Sequence, residues 1–217
     1  MTKKASEIAA SEAKSAGIDW TFSPMVDVAR DPRWGRISEG YGEDPYTASV
    51  FATAAVHGYQ GESLDGKNSI AACLKHYVGY GASEAGRDYV PTEISRQTLW
   101  DSYLPPFEAG VKAGAATLMS AFNTLSGIPA TANHYILTEV LKDMWKHDGF
   151  VVSDWDAVMQ LVLQGMAKDD REAALLAFKA GLEMDMKDNL YGKYMEELVR
   201  DGSIKEKEID EAVKRVL

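Results

Sequence analysis

The 217-residue chain is 46% hydrophobic and 26% charged, a balance that supports a sizeable buried core and excludes disordered and collagen-like chains. A net charge of −10 with no basic patch argues against nucleic acid or an anionic membrane as partner. The single cysteine, Cys73, leaves no internal disulfide, and no apolar run reaches the length of a bilayer span.

Residues 1–17, "MTKKASEIAASEAKSAG", scatter charges through what a signal peptide would need as its apolar region. No export leader is expected in them: the protein is periplasmic or secreted if a leader precedes, and cytoplasmic otherwise. The stretch reads as an amphipathic helix over 3–16 that feeds a strand at Trp20–Ser23. Further strands are expected at Ala71–His76, Thr117–Phe122, Phe150–Ser153 and Leu182–Met184. Helices are expected over 45–60, 95–112, 134–147, 170–180, 191–201 and 205–217. Asp44 before Pro45 supplies an N-cap and a first-turn proline, Asn133 and Asp169 read as caps, and Ser203 with Glu206 reads as a capping box.

Short apolar runs alternating with helical patterns signal a parallel α/β architecture. Long connections follow the strands, at 24–44, 77–94 and 123–133, whereas the returns into strands, "KAGAAT" and "KHDGF", are brief. That asymmetry suits a TIM-type (β/α) barrel, whose site is built from the loops after the strands. Such a barrel takes roughly 250 residues, and five strands can be placed, so residues 1–217 read as one barrel domain incomplete at its N-terminus. An open doubly wound sheet is the alternative, although no Gly-rich nucleotide motif follows any strand.

Four polar clusters fall on the loop face: "RDPRWGRISEGYGEDP", "KHYVGYGASEAGRDY", "MSAFN" and "SDWDA". Asp154 directly follows the apolar "FVVS", so its backbone is held firmly while its carboxylate points into the mouth. It is placed to act as a nucleophile, a metal ligand, a helix cap or the partner of a basic side chain. Asp156 is expected in the first turn of the next helix, where the dipole favours an acid. Lys75 and His76 close a strand, where neighbours alternate faces, so both reach one ligand only if the backbone twists. The Lys75 ammonium needs a counter-charge, and Asp154 is the expected one. In the first loop three arginines interleave with Trp34 and Tyr41; a salt-bridged surface loop is the plain reading, with Trp34 as core. Arg36 is the arginine expected in the site, because a guanidinium grips two vicinal hydroxyls or a carboxylate bidentately. Trp155, an indole between two aspartates, suits stacking on a sugar ring. The four histidines have no metal-ligand spacing, so neither metal nor cofactor is expected.

In order, "SPMVDVARDPRWGRISEGYGEDPY", "CLKHYVGYGASEAGRDY", "ATLMSAFNTLSGIPATAN" and "GFVVSDWDAV" resemble the barrel domain of glycoside hydrolase family 3, β-glucosidase type, across essentially the whole chain. The resemblance implies retaining hydrolysis of terminal β-glucosyl or related residues, with Asp154 as nucleophile. It implies that Trp155 packs on the sugar, that Arg36, Lys75 and His76 hold its hydroxyls, and that Met119 and Phe122 line the pocket. Phe122 stands where tyrosine is frequent and so lacks the polar role. Lys75 and Arg36 are expected to keep Asp154 ionised. Family members bind the sugar with a further aspartate early in the barrel and take the acid/base glutamate from a second α/β domain; neither has a counterpart in residues 1–217. Glu84 or Asp88 stands in the loop where a substitute would be sought. The implied partners are a β-glucoside or oligosaccharide and a second α/β domain or chain. Two other classes remain open: a carbohydrate-binding remnant without catalysis, and an aldolase-like barrel using Lys75 as a Schiff-base amine.

Overall fold

In the computed structural model, which describes residues 1–217, five parallel segments lie side by side in the order in which the chain makes them. The first, residues 20–25, runs beside strand β1 (Cys73–Tyr77) through bridges Trp20–Ala71 and Met25–Lys75. β1 pairs with β2 (Thr117–Ser120), β2 with β5 (Phe150–Val152), and Val152 bridges to Met184. A doubly wound sheet reverses its order at a switch point. This one does not, so the winding is that of a barrel, present as an arc.

Helices connect these segments. α1 (Thr2–Ser15) packs on α2 (Pro45–Gln60), and α2 on α4 (Pro105–Lys112). The helix expected over 95–112 is broken into α3 (Arg96–Thr98), a π turn at Leu99–Tyr103 and α4, because Pro105 and Pro106 have no N–H to continue the ladder. Tyr135–Met144 is likewise wound as a π-helix. Then follow α5 (Gln160–Leu163), α6 (Asp170–Ala180), α7 (Leu190–Arg200) and α8 (Glu206–Val216).

Asp44 and Asp169 cap α2 and α6 by accepting from Thr47 and Glu172 N–H, and Asn133 Oδ1 lies 3.4 Å from Ile136 N. The capping box expected from Ser203 and Glu206 forms two residues later: Lys205 N–H donates to Glu208 at 2.8 Å. Ile204 is fully buried, its N–H bonded to Leu198 O, which keeps the chain non-helical until it emerges. The 123–133 connection, expected to be irregular, contains a two-stranded ribbon of β3 (Thr124–Leu125) and β4 (Ile128–Pro129).

Period-two alternation sorts the strands' side chains into two layers. Leu74, Leu118 and Val151 form a cross-strand row packed against the helices. Cys73, Met119 and Val152 face the other way, beside Trp20, Phe150 and Met184. Burial pushes the Cys73 thiol up to about 12, so it is an inert hydrophobe.

Gln60, buried at the end of α2, ties the strand starts together. Its Oε1 accepts from Ala72 N at 3.1 Å and Ala116 N at 2.8 Å, while Nε2 donates to Gly114 O at 2.7 Å. Orphaning a buried donor costs roughly 1–3 kcal/mol. Gln60→Leu is therefore expected to lower the unfolding free energy by at least that amount, read as a reduced urea midpoint at unchanged slope.

Candidate active site

Three strand ends supply the centre of the loop face. Asp27 comes from the segment beside β1, where Val26 N–H donates to Lys75 O at 2.8 Å. Lys75 and His76 lie in β1, whose register against β2 shifts between Leu74 and Tyr77 and whose Lys75–His76 peptide bond is cis. Asp154 follows β5 through Ser153, whose hydroxyl donates to Asp154 O at 2.9 Å and accepts from Met186 N–H at 2.8 Å.

His76, 1% exposed, stands between two carboxylates. Asp27 Oδ2 accepts from its backbone N–H at 2.9 Å and lies 2.8 Å from Nδ1; on the other side Nε2 lies 3.4 Å from Asp154 Oδ2. Asp154 Oδ1 accepts from Trp155 N–H at 2.7 Å, whereas Oδ2 is buried without a hydrogen-bond partner. One oxygen of Asp154 is thus anchored and the other left free.

Burial raises the Asp154 pKa above that of an ordinary carboxyl; His76, the Trp155 N–H, Arg36 and Lys75 pull it back, in that order. Lys75 and Arg36 act on it in the expected direction, but they rank behind His76 and the Trp155 N–H, and burial outweighs all four. Arg36 donates Nε and Nη2 to Glu39 at 2.7 and 2.9 Å, and that pair holds the guanidinium above and the carboxyl below their usual ranges. Lys75, half-buried, acts on Asp154 and Glu39 from a distance, and the pair that forms at Asp154 is with His76 rather than with Lys75.

Tyr80 gathers the surrounding rings. Its fully buried ring lies edge-on to His76 at 5.1 Å, Trp34 at 5.4 Å and Phe122 at 5.9 Å, with the Arg36 guanidinium over it at 5.7 Å. Gly81 lets this loop pass against the first segment: a Cβ there would meet Val28 O at 2.3 Å. Trp34 is core, its indole N–H donating to Asp88 at 2.8 Å. Glu84 is bound to Arg30 at 2.9 Å. Both acids considered as substitute proton donors are therefore engaged away from Asp154. Phe122 joins the aromatic chain, 4.9 Å from Tyr89, while Met119 sits lower, in the inner cluster with Cys73 and Val152.

Trp155 is 57% exposed, with Lys187 Nζ 5.6 Å above its ring. Asp156 is not in a helical first turn as expected. Its φ is 58°, α5 begins four residues later, and its carboxylate pairs with Lys187 at 2.7 Å. Asp188, whose Oδ2 accepts from Met159 N–H at 2.8 Å, is pushed up to about 7 by burial first and by sharing a proton with Asp156 second.

Asp27, Tyr80 and Asp188 did not stand out in the sequence. The signal for Asp27 was there: one carboxylate inside the apolar run "PMVDVA".

The profile of the Glycosyl hydrolase family 3 N terminal domain matches residues 1–217. The chain is 42% identical over 210 residues to a periplasmic beta-glucosidase of Salmonella typhimurium, covering 97% of this chain and 28% of that protein. It is 37% identical over 230 residues to a beta-xylosidase of Formosa agariphila, covering 100% and 32%. A beta-glucosidase from Listeria innocua in complex with gluconolactone matches its structure with a TM-score of 0.97 at 40% identity, over 99% of this chain and 30% of that one. The arc of strands is part of the TIM-type barrel of those enzymes. The chain spans under a third of the length of these relatives.

Asp188 gives a pH signature. Between about 4 and about 7 the folded chain keeps a proton on Asp188 that the unfolded chain releases, so this group makes stability fall as pH rises through that window. Asp188→Asn is expected to flatten that fall, measured as the thermal midpoint against pH.

Proposed function

Because the chain belongs to glycosyl hydrolase family 3, we propose that it carries the nucleophile and sugar-binding groups for retaining hydrolysis of terminal β-glycosyl residues, β-glucosyl first and β-xylosyl second. The observation that carries this reading is Asp154 itself: a buried carboxylate at a strand end, one oxygen fixed by the Trp155 N–H and the other without a partner.

In this reading the free Oδ2 attacks the anomeric carbon and forms a glycosyl-enzyme, which water then opens with net retention. Partial desolvation leaves the carboxylate less hydrated and so easier to bring to bonding distance. The same desolvation raises its pKa, and the basic groups around it limit that rise. His76 Nε2 lies 3.4 Å from Asp154 Oδ2, and Lys75 and Arg36 act on the same carboxylate, a grouping suited to the hydroxyls of a bound sugar. Arg36 is held for this by Glu39 and Tyr80. The exposed face of Trp155 suits a pyranose ring, apolar on one side. Phe122 and Met119 contribute shape without polar contact.

Proton transfer to the leaving oxygen needs a second carboxyl, roughly 5–5.5 Å from the first in retaining enzymes. We assign it to a further α/β domain, in keeping with relatives more than three times as long as this chain. Without it the loss is on the order of 10²–10⁴ in rate. A periplasmic relative supports the same location for this protein.

A 2-deoxy-2-fluoro-β-glucoside with a good leaving group tests the assignment. Peptide mapping is expected to find the label on Asp154 and none after Asp154→Asn. Label on another residue, or none on active protein, overturns the nucleophile assignment. Glycoside binding that survives Asp154→Asn without any labelling of the parent identifies a binding protein instead. In the active protein the acidic limb of kcat/KM is expected above about 3.9, the ordinary aspartate value, since burial raises the Asp154 pKa.

A further inference from the structure

Asp27 is a carboxylate where an aliphatic residue would fit. It lies between Val26 and Val28, all three buried, and a buried charge is costly unless it is bonded. Only His76 bonds it. Oδ2 accepts from the His76 backbone N–H at 2.9 Å and sits 2.8 Å from Nδ1, while Oδ1 has no partner. Both contacts converge on one oxygen, the backbone N–H can only donate, and a carboxylate oxygen, with two lone pairs and no hydrogen, accepts from both. The proton between it and the ring therefore belongs to Nδ1. We propose that Asp27 is a positioning residue that keeps a proton on His76 Nδ1 and aims Nε2 at the space beside Asp154 Oδ2, making Nε2 the ring nitrogen offered to a sugar hydroxyl.

This inference rests on the reading of the loop face around Asp154 as a glycoside site, and it adds what that reading lacked, the group that chooses which ring nitrogen is offered. The geometry also distinguishes Asp27 from a general stabiliser of the loop. Its hydrogen bonds go to His76 alone, so its polar influence on turnover passes through that residue. Tyr80, edge-on to the imidazole at 5.1 Å, limits the ring's tilt but offers it no hydrogen bond. Asparagine at position 27 would keep the proton on Nδ1. Its carbonyl oxygen is forced into the Oδ2 position by the backbone N–H, and there it still accepts from Nδ1. Leucine or alanine would not.

The test is a double-mutant cycle in the full chain with an aryl β-glucoside, together with ¹⁵N spectra of the histidines. Asp27→Leu is expected to lower kcat/KM on the order of a hundredfold, the scale of misplacing a group at a site. Asp27→Asn is expected to stay within about tenfold of the parent, since it retains the acceptor. The double variant of Asp27→Leu with His76→Ala is expected to be no slower than His76→Ala alone, since coupled residues are not additive. The His76 resonances are expected to show Nδ1–H in the parent and a shift towards Nε2–H in Asp27→Leu, with Asp27→Ala serving if leucine does not fold. A His76 ring without a proton on Nδ1 in the parent, or losses that simply add in the cycle, overturns the proposal. Both readouts are separable from the nucleophile assignment. Fluoro-sugar labelling at Asp154 with an additive cycle removes Asp27's role alone. Absence of labelling removes the nucleophile while the tautomer spectrum still decides this point.

Discussion

His76 is a buried imidazole contacted by one carboxylate on each of its nitrogens, and the arrangement of the loop face follows from that. Asp27 reaches it from the segment before β1 and Asp154 from the end of β5. Two acids and a base from three separate segments meet only if the strands keep their register and spacing. A carboxylate, an imidazole and a carboxylate in one low-dielectric space also restrict one another's orientation. With its backbone N–H bonded to Asp27, the ring has little freedom to turn away.

The surrounding charges are organised by pairing rather than by proximity to Asp154. Glu39 takes both donors on one side of the Arg36 guanidinium, and Asp156 takes Lys187. The first pairing engages a cation that also acts on the central carboxylate, and burial decides the direction of that carboxyl's pKa shift. Asp154 Oδ2 is left without a hydrogen bond, with His76 Nε2 at 3.4 Å. Tyr80 performs the apolar equivalent, fixing Arg36, His76 and Phe122 against one ring.

Most of the architecture was legible along the chain because it is local. The alternation of apolar runs with helical periodicity marked five parallel segments, and Asp44 and Asp169 marked helix starts that the structure confirms with hydrogen bonds. The errors came where burial overrode a local rule. Ser203 with Glu206 satisfied the spacing of a capping box, yet burying Ile204 moved the cap to Lys205. Pro105 and Pro106 broke a periodic stretch into a π turn and a helix. Asp156 had the position of a first-turn acid, but a left-handed backbone turned it towards Lys187 on a distant loop.

By itself the sequence determined which strand ends carry reactive groups, since a carboxylate straight after "FVVS" and a Lys-His pair ending "IAACLKHY" are set by strand length and period. It also contained the four stretches by which the family is recognised. Only the tertiary structure decided who pairs with whom: His76 rather than Lys75 beside Asp154, Glu39 rather than Asp154 on Arg36, and Asp27 behind His76. The physical reason is that hydrogen bonds and ion pairs depend on distances of 3–4 Å and on burial. Both arise between residues 49 positions apart, as for Asp27 and His76, and no spacing along the chain encodes them.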